Sequence, residues 1–163
     1  MRIMLGMAVL GTLGLASSSE PGRRDDNADV RQTVERFFSA MRTRDTAALR
    51  SVLQAQAKLV ALTPSGDSVA VRISTADEFI GVIGSATAVP LERMWSPEIR
   101  VDGPLATLWT RYDFHRGGEF SHCGTDSFQL ARINGAWVVT ALSYTVVRPA
   151  NRCEPSPLGP PKQ

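Results

Sequence analysis

His122 and Asp126 are the side chains in this sequence whose types and setting point most directly to chemistry. An imidazole titrates near neutrality and can carry a proton in either direction. A carboxyl in a partly apolar setting has a raised pKa, which suits a base that removes a proton next to a carbonyl. Tyr112 and Tyr144 are the hydroxyls that would donate to the resulting enolate. Turn chemistry gives an expected register. A two-residue turn at Asn134-Gly135 pairs Ile133 with Ala136, which sets Asp126 opposite Ser143 and Phe128 opposite Ala141. A turn centred on Gly117-Gly118 pairs His115 with Phe120, which sets Asp113 opposite His122 and Trp109 opposite Asp126. Alternation then gathers Trp109, Arg111, Asp113, His122, Asp126 and Ser143 on one face, with both tyrosines on the other. In that arrangement Asp113 orients the His122 ring, and Asp126 sits beside Trp109. The competing reading is a surface ion pair of Asp113 with His122 or Arg111. The split between acids and tyrosines counts against catalysis, because acid and oxyanion donor must converge on one substrate. A bulge near Gly124 would rearrange the whole set.

The elements that would position these groups follow from periodicity. Val30, Val34, Phe37, Phe38 and Met41 recur at helical spacing, which predicts a helix over 28–42. Asp45 is a good cap for a short second helix over 46–53. Leu59, Val60 and Leu62 read as a strand ending at Pro64, and residues 69–73 as its return after Ser65-Gly66-Asp67. Residues 74–78 resemble a capping segment opening a third helix that ends at Gly84. Four strands follow, over 91–101, 105–115, 120–133 and 136–148, separated by Asp102-Gly103, Gly117-Gly118 and Asn134-Gly135. Helices first and hairpins after predict an α+β fold: a curved antiparallel sheet with about three N-terminal helices covering one face, which the family likeness described below implies is cone-shaped.

The whole chain bounds the rest. At 163 residues it holds one domain, and 43% apolar with 21% charged residues is ordinary for a globular protein. A net charge of +2, with its basic residues scattered, argues against nucleic acid or an anionic membrane as partner. Arg2, the uncharged apolar run over 3–15 and Ala16-Ser17-Ser18 read as an export signal over 1–18; a buried N-terminal helix is the alternative. The run is shorter than the roughly 20 residues a spanning helix needs, so no membrane association is expected after processing. The expected organisation continues with a flexible linker over 19–27, the folded domain over 28–153 and a disordered Pro-rich tail over 154–163, in a periplasmic or secreted protein. Cys123 and Cys153 are most simply a disulfide in such a chain, with two separate buried thiols as the alternative. The sequence contains no Gly-rich phosphate loop, no Ser-His-Asp order and no metal-spaced cluster, so neither a cofactor nor a metal is expected.

Three segments carry a family likeness. They are Val34-Glu35-Arg36-Phe37-Phe38-Ser39-Ala40-Met41 with Arg44-Asp45-Thr46-Ala47-Ala48-Leu49, the hairpin over 101–109, and Asp126-Ser127-Phe128-Gln129-Leu130 with Asn134-Gly135-Ala136-Trp137-Val138-Val139. In order and spacing they resemble the nuclear transport factor 2-like superfamily, in its SnoaL-like bacterial branch, over residues 28–147. Phe120-Ser121-His122-Cys123-Gly124-Thr125-Asp126 is similar to the signature of an exported subgroup. The resemblance implies a helix-lidded conical barrel, a pocket between sheet and helices, and commonly a homodimer through the exposed sheet face. It does not imply an activity, because members include isomerases, cyclases, dehydratases and non-enzymatic binding domains. The pocket it implies would draw on Phe37 and Met41 from the first helix and on Trp95, Trp109, Tyr112, Asp113 and Tyr144 from the sheet. Trp137, after an Asn-Gly turn, reads as packing. The expected function is an exported domain that binds a small, largely apolar molecule or pairs with a second copy. The alternative is a cofactor-free lyase or isomerase with Asp126 or His122 as base.

Overall fold

A computed structural model describes residues 25–149 and 152–161; the expected export signal and most of the expected linker lie outside the described residues. Helix α1 spans Asp26–Thr43. Asp25 caps it by accepting from the amides of Asn27 and Ala28, and Arg44 closes it in the left-handed conformation at φ 56°. Helix α2, Thr46–Val52, is capped by Asp45, which accepts from the Ala48 amide at 2.9 Å. Strands β1 (Leu53–Ser65) and β2 (Ser68–Thr75) form a hairpin. Helix α3, Ala76–Gly84, opens on a reciprocal capping box between Thr75 and Glu78. Strands β3 (Pro90–Asp102), β4 (Leu105–Arg116), β5 (Glu119–Ile133) and β6 (Ala136–Thr145) complete the fold. The β5–β6 turn is the Asn-Gly kind, with Asn134 and Gly135 at φ 51° and 81°.

The three helices and curved sheet are as the sequence predicts, with one correction. The sheet order is β2-β1-β6-β5-β4-β3, and β1 runs parallel to β6, so the sheet is mixed. Hairpin turns announce antiparallel neighbours, but the β1–β6 pairing joins distant segments and has no turn to announce it. The helices pack on one face. Val30, Val34, Phe37, Leu49 and Val52 meet Leu108, Phe128, Leu130 and Val139 in one core. Phe128 is fully buried, with Phe37 and Phe38 edge-on to it at 5.7 and 5.8 Å between centroids. Burying a ring of that size stabilises by roughly 2–3 kcal/mol. Trp137 packs as expected, 5% exposed, with the Arg132 guanidinium over its ring at 4.6 Å.

The register departs from the expected one at two bulges. His115 pairs with Phe120, but Phe114 pairs with His122, so Ser121 is an extra residue. Leu130 pairs with Val139 and Gln129 with Ala141, so Thr140 is a second. Each displaces everything beyond it by one residue. Asp113 lies opposite Cys123, not His122; Trp109 opposite Ser127, not Asp126; Asp126 opposite Tyr144, not Ser143; and Phe128 opposite Leu142, not Ala141. Since side chains alternate, a one-residue displacement exchanges the two faces. Gly124, where a bulge was expected, sits inside a regular ladder opposite Tyr112. Its role is close approach: a Cβ there would collide with the Thr145 carbonyl oxygen and lie 2.8 Å from Tyr112 Cε1.

Candidate functional site

Between the helices and the concave face of the sheet lies a cavity of about 400 Å³. Alternation on the bent strands supplies its floor: Glu92 from β3, Tyr112 and Phe114 from β4, His122 and Asp126 from β5, Leu142 and Tyr144 from β6. Phe37 and Met41 of α1, with Phe79 and Ile83 of α3, form the roof. Most of the wall is apolar, which makes its few polar groups conspicuous.

Asp126 is 1% exposed, and neither of its carboxyl oxygens has a donor among the described residues in its ionised form. Its neighbour is the carboxyl of Glu92, and two carboxyls hydrogen-bond only when one carries a proton. Burial, followed by the charge of Asp126, drives Glu92 well above the ordinary carboxylate range. Burial likewise pushes Asp126 up to about 7, against the opposing pull of the Glu92 hydrogen bond. Near neutrality burial keeps at least one proton on the pair, and Asp126 stands far above the ordinary carboxylate range.

His122, Tyr112 and Tyr144 beside them are uncharged at neutral pH. Burial, with Arg148 and Arg116 adding to it, lowers His122 to about 4, so its imidazole is neutral. Its Nδ1 lies 3.0 Å from Ser121 Oγ. Burial and the nearby carboxyls hold the Tyr112 hydroxyl far above its usual range, and it donates to the Thr145 carbonyl oxygen at 2.7 Å. That proton is committed. Tyr144 is also raised by burial, but its oxygen accepts from Arg72 Nη2 at 3.2 Å, and its own proton has no acceptor among the described residues. Tyr144 is therefore the hydroxyl able to donate into the cavity.

Six of the residues singled out from the sequence meet here: Asp126, His122, Tyr112, Tyr144, Phe37 and Met41. Three do not, and these are corrections. Trp109 is 54% exposed on the opposite face of the sheet, where the Ser121 bulge leaves it. Asp113 is buried on that face, accepting from Arg93 Nε at 2.8 Å and lying 3.3 Å from His115 Nε2. Trp95, opposite Arg111, is no part of the cavity wall. The Ser121 bulge that removes Asp113 and Trp109 brings Tyr112 onto the face of Asp126, and the Thr140 bulge sets Tyr144 opposite Asp126, reversing the expected separation. Glu92 escaped sequence reading. Its only signal is a lone acid among apolar alternating residues, and its partner is two strands away.

On the convex face, the Cys123–Cys153 disulfide is formed, and Glu154 pairs with Arg111 at 2.9 Å. Residues 153–156 and 159–161 border a second cavity of about 510 Å³ with Arg93, Asp113 and His115. No described helix is long and apolar enough to cross a membrane.

Comparison with known structures places this architecture in the nuclear transport factor 2-like class. An NTF2-like protein of unknown function from Silicibacter pomeroyi matches with a TM-score of 0.56 at 19% identity, covering 76% of this chain and 97% of the other. An NTF2-like protein from Cytophaga hutchinsonii matches with 0.62 at 15%, covering 77% and 100%. An NTF2-like superfamily protein from Salmonella enterica matches with 0.59 at 16%, covering 76% and 92%. At such identities the likeness speaks for the fold alone. A family model described as "Putative lumazine-binding" matches residues 25–145, and the chain belongs to that family. No curated protein matches the sequence significantly.

Proposed function

We propose that the domain binds a small, largely apolar molecule in the concave-face cavity, with one neutral polar group of that molecule against the Asp126–Glu92 pair. The observation that carries this is a buried carboxyl short of donors, Asp126, beside the half-buried Glu92 in the wall of a largely apolar cavity of about 400 Å³. Cavities of this size and character are what small-molecule sites use, with a few polar groups setting orientation. A ligand hydroxyl or ring N–H would supply the donor that Asp126 lacks. The Cys123–Cys153 bond fits an oxidising compartment, in line with an exported protein. The convex face, with Leu105 and Trp109 each 54% exposed, is the surface through which we expect two copies to pair.

The test is calorimetric titration of the full chain with 1-decanol and with lumazine, the compound named in the family's description. One equivalent of either should bind, and Ala61→Phe, which grows a ring from the cavity wall, should abolish uptake. Binding unaffected by that ring, or no uptake of either probe, would count against the proposal.

A second reading is favoured by one pairing, Asp126 near its midpoint beside a Tyr144 hydroxyl with an uncommitted proton. Asp126 would take a proton from a carbon next to a carbonyl while Tyr144 donates to the developing oxyanion. The carboxylic acid so formed would return the proton to a different carbon, giving a double-bond isomer without any co-reactant. Conversion of 3-cyclohexen-1-one to 2-cyclohexen-1-one above the buffer rate, lost in Asp126→Asn, would support it. Equal rates in the two proteins would dispose of it.

A further inference from the structure

The rim of the cavity carries a charge pattern opposite to that of its floor. Arg72 on β2, Arg116 at the end of β4 and Arg148 beyond β6 all line the cavity and are all exposed. Each is held by an uncharged partner. Arg72 reaches the Tyr144 hydroxyl at 3.2 Å, Arg148 Nε donates to the Ser121 carbonyl at 3.2 Å, and the Arg116 guanidinium lies 5.9 Å from the Phe114 ring centroid. None of the three has a carboxylate within 4.0 Å among the described residues. Arg31, Arg50 and Arg111, on other surfaces, are paired with Glu35, Asp77 and Glu154. Three guanidiniums without a carboxylate partner, all lining one cavity, form a ready site for an anion. The floor has the contrary preference, because a second negative charge beside Asp126 and Glu92 would be desolvated and repelled.

We propose that the ligand is an amphipathic anion, its apolar body in the cavity and an acidic head such as a carboxylate at Arg72, Arg116 and Arg148. This deepens the reading of the cavity as a small-molecule site and rests on it. The two charge zones also fix direction: the acid stays at the rim, and any neutral polar group goes down to the carboxyl pair. Arg148 and Arg116 already act on the cavity interior, since both add to the depression of His122.

The experiment compares decanoate with 1-decanol, probes of equal chain length that differ in head charge, by calorimetry on the full chain at low ionic strength. Decanoate should bind about tenfold tighter, equivalent to 1.4 kcal/mol. The preference should shrink as salt rises, because exposed charges are screened. In the triple variant Arg72→Ala, Arg116→Ala, Arg148→Ala the ratio of the two affinities should fall to about one; circular dichroism reports whether that variant is folded, and salt dependence in the parent chain tests the same point without it. Equal binding of the two probes by the parent chain, or an undiminished ratio in the folded triple variant, overturns the anion proposal while leaving the cavity reading intact. If neither probe binds, the cavity reading fails and the anion proposal with it.

Discussion

Replacing Asp126 by Asn should change how stability depends on pH more than it changes stability at any single pH. Asp126 is 1% exposed, and its carboxyl is raised from an ordinary 3.8 to about 7. A carboxyl raised in the folded state contributes stability that is full below the unfolded pKa and is lost as pH climbs through the folded one. The window therefore runs from about pH 4 to about pH 7. A rise of roughly three pH units at 1.36 kcal/mol each puts the loss on the order of 4 kcal/mol. Asn has nearly the same shape and no charge to desolvate, so the variant lacks this slope. Urea unfolding of both proteins at pH 4.5 and pH 8 gives the quantity needed. The stability of the parent relative to Asp126→Asn should fall by about 3–4 kcal/mol between those pH values, with m-values unchanged. The comparison cancels the titration of distant groups common to both chains. A difference constant to within about 0.5 kcal/mol would refute the reasoning, because it would mean that Asp126 ionises in the folded protein much as it does in water.

Two other substitutions probe the scaffold. Gly124→Ala should destabilise by more than about 3 kcal/mol, since a Cβ would meet the backbone oxygen of Thr145 and the Tyr112 ring together, leaving neither room to yield; thermal unfolding of the variant would show it. Replacing both Cys123 and Cys153 by Ala opens a crosslink of sequence separation 30 and should cost roughly 3–4 kcal/mol on the chain-entropy account. The same melting experiment, run with and without reductant on the parent chain, should give matching losses.

The parts of this protein legible in the sequence are those set by local physics. The apolar stripe Val30, Val34, Phe37, Phe38 and Met41 must face a core, and it does. The capping groups Asp45 and Thr75 start helices where they stand, and Asn134-Gly135 turns the chain between β5 and β6. What escaped was set by long-range geometry. The bulges at Ser121 and Thr140 have no distinctive residue chemistry, because nothing about a serine or threonine in a strand marks it as unpaired. Their consequence is large all the same, since displacement by one residue moved Trp109 and Asp113 off the site and put Tyr112 and Tyr144 on it. Glu92 was hidden for a related reason: its meeting with Asp126 crosses β4 and depends on the bend of the sheet. Gly124 has the residue chemistry of a bulge, but the space it vacates is taken by a tyrosine ring and a carbonyl.

The claim on which the account rests is that Asp126 and Glu92 keep at least one proton between them in a largely apolar cavity at neutral pH. Carbon-13 NMR of the full chain, with the side-chain carboxyls of Asp and Glu labelled, tests it directly across pH 4 to 9. One aspartate resonance should titrate with its midpoint near 7 and vanish in Asp126→Asn, while one glutamate, absent in Glu92→Gln, should titrate well above the ordinary carboxylate range. Titration of every carboxyl below pH 5 would contradict the account.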